Sequence, residues 1–237
     1  MTAPVIEAVD VAKSLGTAAG RVEALKGVSL AISGGELTLL MGPSGSGKTT
    51  LLSVLGGMLT PCRGTVRIGG RTTEGAGPED LAKLRREHVG FVFQSFHLFP
   101  TLTAVDNVRL ALEVRGESPF RSRAKARETL VMVGLGHKLR SFPNELSGGE
   151  QQRVAIARAI VGNPSAVLAD EPTAALDSEN GCAVMKLLAE IAKDASRGVL
   201  VVTHDPRILT FADRVVQIED GRITGEERHK DDGESHG

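Results

Sequence analysis

The sequence predicts an α/β fold with a mainly parallel sheet core, an antiparallel β side sheet and an inserted α-helical lobe. Three observations carry this. Short, nearly uncharged apolar runs are separated by helical stretches, the pattern of parallel strands joined by crossovers. The early segments Val5 to Ile32 and Thr65 to Ile68 read as strands without long crossover helices, so they pair antiparallel. Between Thr101 and Gly162 the pattern turns helical, with no convincing strand until Ala166.

In chain order, Val22, Leu25, Val28, Leu30 and Ile32 mark the side sheet, and Glu36 to Met41 is a strand buried on both faces, with a helix from Lys48 onward. Val89 to Phe93 is the next core strand. Thr103 to Arg115, Arg121 to Val133 and Glu150 to Val161 read as helices, and Ala166 to Ala169 resumes the core. Val184, Leu187, Leu188 and Ile191 then recur at i, i+3, i+4 and i+7, one apolar stripe of a helix packed on the sheet. Val199 to Thr203 and Val215 to Ile218 complete the strands, the last followed by a hairpin turn at Asp220 and Gly221. One domain is expected over residues 1–237: a core of 1–94 and 163–227, a helical lobe of 95–162, and a polar, frayed tail of 228–237.

Composition narrows the chemistry. A charged fraction of 24%, a hydrophobic fraction of 41% and a net charge of -1 describe an ordinary globular chain, not a nucleic-acid binder. The 2 cysteines, Cys62 and Cys182, have no metal-ligand spacing and fit a reducing compartment. No apolar run approaches the roughly 20 residues that cross a bilayer, and residues 1–10 lack the order of a secretory signal, so a cytosolic location is expected.

Gly42-Pro43-Ser44-Gly45-Ser46-Gly47-Lys48-Thr49 fits G-x-x-x-x-G-K-[ST], directly after a predicted strand and opening a predicted helix. Its glycines let successive N–H groups turn toward phosphate oxygens, and the helix N-terminus adds positive charge. Lys48 can then reach the β and γ phosphates of ATP, the Thr49 hydroxyl can ligate Mg²⁺, and Thr50 can touch a phosphate. Ala166 to Ala169 ends in Asp170 and Glu171, carboxylates delivered to the carboxyl edge of a sheet. Asp170 is the better metal partner, while Glu171, off the strand, can orient or deprotonate an attacking water. His204 follows another strand and is placed to touch the γ-phosphate.

Leu146-Ser147-Gly148-Gly149-Glu150-Gln151-Gln152-Arg153 resembles the signature motif of ATP-binding-cassette proteins, and the order of motifs agrees along nearly the whole chain. Gln94 resembles the Q-loop glutamine, a further metal contact; Ala174 to Asp177 resembles the D-loop; His204 resembles the switch histidine. The resemblance implies a P-loop NTPase core of the RecA-like type. It also implies a head-to-tail dimer, of two copies or of two equivalent cassettes, burying two ATP, in which Ser147, Gly148 and Gly149 of one cassette face the phosphate loop of the other. Ser147 to Gly149 precede a helical run, which supplies a second anion-binding helix N-terminus.

The run Phe91 to Pro100, with Leu102 to Ala104 and Asp106 to Val108, is similar to the branch of lipoprotein-release, macrolide-export and division-associated ATPases. That branch implies membrane-spanning permease subunits docking near Gln94, Phe96 and Phe99, on the cytoplasmic face of the membrane. Strand alternation buries Phe91 and Phe93, whereas Phe96 and Phe99 either pack the lobe onto the core or line a groove for a permease helix. The basic run Arg121, Arg123, Lys125 and Arg127 reads as a solvated face, with anionic headgroups as an alternative. Leu15 stands where the family offers an adenine-stacking aromatic, so weaker base selectivity is expected. Besides a transport ATPase, the sequence leaves open an ATP-gated regulatory module and a soluble ATPase acting on nucleic acid; neutral charge and the lack of a coiled-coil or zinc insertion argue against the last.

Overall fold

The computed structural model describes residues 3–16 and 20–228, and the expected tail lies outside them except for Arg228. Two sheets build the molecule. In the first, β1 (Ile6–Leu15) pairs antiparallel with β2 (Val22–Ile32) and with β4 (Arg63–Ile68), and β4 continues into the short β5 (Arg71–Thr72). The second is six-stranded in the order β10-β9-β3-β8-β7-β6. Its central strands are β3 (Leu37–Met41), β8 (Gly198–Thr203) and β7 (Ala166–Asp170), flanked by β6 (Val89–Val92) and β9 (Arg214–Glu219). All of these pair in parallel; only β10 (Arg222–Arg228) runs antiparallel, returning through the Asp220-Gly221 turn.

Every residue of β3 and β8 is buried, as uninterrupted apolar runs in a doubly covered sheet require. The two faces feed separate cores. Leu37, Leu39 and Met41 point, with Val199 and Val201, toward α6 (Ser178–Ala192) and the helices α3 (Ala104–Glu113), α4 (Pro119–Met132) and α5 (Gly148–Ile160). Leu40, Leu200 and Val202 face α1 (Lys48–Leu55) and the side sheet. On α6, Val184, Leu188 and Ile191 are buried and Leu187 is half-buried, joined by Met185.

Three expectations change. The helix α2 (Pro78–His88) is not legible from apolar periodicity, because Leu84 is its only buried residue. The signals that mark it are Pro at the N-terminus, Glu79 and Asp80 in the first turn, and Arg85, Arg86 and His88 in the last. Phe91 and Phe93 are half-buried, while Val92 between them is fully buried. β6 is the edge strand and ends at Val92, so the phenylalanines point to a surface groove, stacked with ring centroids 5.8 Å apart. Arg228, expected in a frayed tail, pairs with Arg214 across β9 and β10 and reaches the Glu36 carboxylate at 2.9 Å.

Candidate functional site

The carboxyl ends of β3, β7 and β8 lie side by side, and three chemistries meet there. After β3 the chain turns through Gly42 to Gly47 into α1. Gly47 is the N-cap with φ 102°, and a Cβ there would stand 2.5 Å from the Ala24 carbonyl oxygen, so only glycine fits. No side chain caps α1, which leaves its first N–H groups facing the loop. Lys48 is buried, and its ammonium donates to the carbonyls of Gly42 (2.7 Å) and Pro43 (2.8 Å), curling the loop around itself. Ser46 Oγ is buried with no hydrogen-bond partner, an orphan polar atom in the loop. Pro43, Ser44 and Gly45 are exposed, and Thr50 is half-buried on the first turn of α1.

Thr49 Oγ1 donates to Asp170 Oδ1 at 3.3 Å, joining α1 to the end of β7 across 121 residues of sequence. Burial raises the Asp170 carboxyl above the ordinary carboxylate range; the Thr49 hydroxyl opposes this and the Glu171 charge adds to it. Glu171 leaves the strand in the left-handed region, φ 47°, with its N–H donating to the Val202 carbonyl at 2.9 Å. That turn swings its side chain onto the neighbouring strand's end, where Oε1 lies 2.6 Å from His204 Nδ1. With Glu171 as a carboxylate, Nδ1 carries the proton and Nε2 is left to face solvent. Thr49, Asp170, Glu171 and His204 are thus brought together.

Gln94 is exposed beyond β6 and makes no hydrogen bond among the described residues, so nothing fixes its amide toward Thr49 or Asp170. Leu15, the last residue of β1, is 39% exposed at the rim of the side sheet.

The second helix N-terminus is built differently. Ser147 caps α5, its Oγ accepting from the Glu150 N–H at 3.2 Å while Glu150 accepts from the Ser147 N–H at 2.8 Å. That N–H holds Glu150 below the ordinary carboxylate range. Gly148 is half-buried and Gly149 buried, where a side chain would collide with Asn180 at the start of α6. Asp177 is the N-cap of α6, accepting from the Asn180 N–H (2.9 Å) and amide (2.7 Å), which hold its carboxyl low.

One link was not legible beforehand. Gln152, fully buried on α5, donates to the Pro172 carbonyl at 2.7 Å and so ties the signature helix to the residue after Glu171.

At the edge strand β6, a groove is lined by Phe91, Phe93, Phe99, Val114, Arg115 and Arg158. Phe99 is half exposed, and its backbone is clamped by buried Asn107, which accepts from the Phe99 N–H (2.8 Å) and donates to the Phe99 and Leu102 carbonyls. Phe96 instead turns away to Gly148, its φ of 58° placing it off the groove wall. Among the described residues no helix is long and apolar enough to cross a membrane, and no cluster of three acidic, His or Cys side chains could hold a metal by itself.

Residues 25–174 match the family model described as ABC transporter. Over 228 residues the chain is 46% identical to the macrolide export ATP-binding/permease protein MacB of Chlorobium luteolum, covering 96% of this chain and 34% of that protein. The chain therefore spans about a third of the length of its macrolide-export relatives. It is 42% identical over 222 residues to the lipoprotein-releasing system ATP-binding protein LolD of Bordetella pertussis, covering 94% of this chain and 96% of that one. Among solved structures, the ATP-binding cassette MJ0796, a dimer bound to ADP and Pi, superposes with a TM-score of 0.86 at 41% identity over 95% of this chain and 99% of that one. Phosphate loop, acidic strand end and capped signature helix thus coincide in one chain with both sequence and structural kinship, and the chain belongs to the ABC transporter family as an ATP-binding cassette.

Proposed function

We propose that the chain binds and hydrolyses Mg-ATP within a homodimer and drives membrane-spanning permease subunits from the cytoplasmic face. The observation that carries the reading is the junction of Lys48 and Thr49 on α1 with Asp170, Glu171 and His204, where Thr49 meets Asp170 at 3.3 Å and Glu171 meets His204 at 2.6 Å. Phosphates entering the loop exchange the Gly42 and Pro43 carbonyls for anionic partners of Lys48, and give Ser46 Oγ and the open N–H groups of α1 their missing acceptors. Thr49 and Asp170, with Gln94 swinging in, form a hard oxygen donor set that suits Mg²⁺; the ion when bound neutralises charge on the phosphate oxygens. Glu171 takes the proton of the attacking water, and His204, held by Glu171 through Nδ1, turns Nε2 to the γ-phosphate. Leu15 gives the adenine apolar contact without stacking.

Ser147, Gly148 and Gly149 serve the ATP of the second copy, with Asp177 at the same seam; residues 95–162 move as the helical lobe. Phe99 and the groove beneath it receive a permease helix. Similarity to both MacB and LolD over more than nine-tenths of this chain supports a transport role. Glu171→Gln is expected to lower phosphate release by at least about a hundredfold while ATP binding survives. Turnover retained in that variant, or ATP binding lost with it, would falsify the assignment of Glu171 as base.

A further inference from the structure

The outward face of α4 carries an apolar stripe edged with arginines. Phe120, Ala124 and Val131 follow one another at i, i+4 and i+11, which places them on one side of the helix, opposite the buried Ser122, Ala126, Thr129 and Leu130. Phe120 is 85% exposed, the most exposed of the large apolar residues among the described residues, and Val131 and Met132 are 61% and 68% exposed. Arg123 and Arg127 flank the stripe on one side, and Glu128, Arg121 and Lys125 lie on the other, so the face carries one acidic group among four basic ones. Lys125 pairs with Glu117 at 2.6 Å, but the side chains of Arg121, Arg123 and Arg127 have no ion pair or hydrogen bond among the described residues.

A face that only meets water has no use for this arrangement. Arg123 and Arg127 are a like-charge pair at i,i+4 with neither member ion-paired among the described residues, which opposes helix formation until an anionic surface neutralises it. Exposed apolar residues scattered singly need no explanation, but Phe120 and Val131 on one outward face beside free guanidinium groups offer an anionic bilayer interface both an apolar and a charged contact. The charge is local, since the whole chain carries -1. The position also fits: Val114 and Arg115 at the end of α3 line the Phe99 groove, and Gly116 to Ser118 lead directly into Phe120.

We propose that this face of α4 contacts anionic phospholipid, with Phe120 and Val131 inserted at the headgroup level and Arg121, Arg123 and Arg127 paired with lipid phosphates. The contact needs no permease, so it stands or falls separately from the docking groove.

The test is flotation of the purified chain with vesicles of phosphatidylglycerol and phosphatidylethanolamine, against vesicles of phosphatidylcholine alone. Binding to the anionic vesicles is expected, weakening as salt is raised, and falling at least about tenfold in Arg123→Glu/Arg127→Glu. Phe120→Ser should weaken it with the charge unchanged, and all variants should keep wild-type circular dichroism and ATP turnover. No flotation, equal flotation with neutral vesicles, or unaltered flotation of both variants overturns the proposal. Loss of permease assembly in these variants without any vesicle binding overturns it too, and assigns the face to a protein partner.

Discussion

At the scale of single residues, Asp170 shows how far a site departs from what optimises the folded chain. Its carboxyl is raised, chiefly by burial, so the native state holds this proton more tightly than the unfolded chain does. The sign follows: its contribution to stability is full at acid pH and is lost as pH rises through the native pKa. Asp170→Asn is therefore expected to raise the melting temperature of the ligand-free protein at neutral pH, by an amount that shrinks toward acid pH. The same variant should lose Mg-dependent turnover, and calorimetry across pH together with phosphate release checks both. Glu171 makes the complementary point. The sequence places it one residue past a strand, but its left-handed φ of 47° and the contact with His204, 33 residues away, come from the fold.

Among elements, the buried ion cluster at the edge of the core sheet has no local signature. Arg214 on β9 donates to Glu226 at 2.8 and 3.0 Å, to the Ala31 carbonyl at 2.7 Å and to Glu36 at 3.5 Å, so one side chain pins β10 and β2 to the core. Its side chain is only 7% exposed and that of Glu36 10%, whereas that of Arg228, the other partner of Glu36, is 58% exposed. Burial decides which bond matters. Arg214→Ala leaves Glu36 and Glu226 underpaired and should cost about 3 kcal/mol, whereas Arg228→Ala should cost about 1 kcal/mol or less; urea unfolding separates the two. Helix caps, by contrast, are local, because Ser147 and Asp177 bond to residues three positions on. The burial of Phe91 and Phe93 was misjudged because alternation reports which face a side chain takes, and only the edge position of β6 leaves that face half open.

For the whole molecule, the helix N-termini of α1 and α5 that are proposed to meet phosphate make a dimer the natural arrangement, and the similar cassette MJ0796 was solved as one. Phe99→Asp offers a test at this scale. The Phe99 backbone is held by Asn107 whatever its side chain, so folding and ATP turnover should survive while co-purification with permease subunits is lost. A melting temperature well below wild type would instead make Phe99 a packing residue. The α/β class, the phosphate loop, the acidic strand end, the signature and most strand positions are legible in the sequence, because each is encoded by residues within about ten positions of one another. That Thr49 meets Asp170, that Glu171 meets His204, that Gln152 ties α5 to Pro172 and that Arg214 is buried follow from the packed fold alone. Those pairings depend on strand order and register, which bring β3, β7 and β8 side by side in the order 3-8-7 although β7 precedes β8 in the chain. Such long-range adjacency is a property of the packed sheets, and no local run of residues carries it.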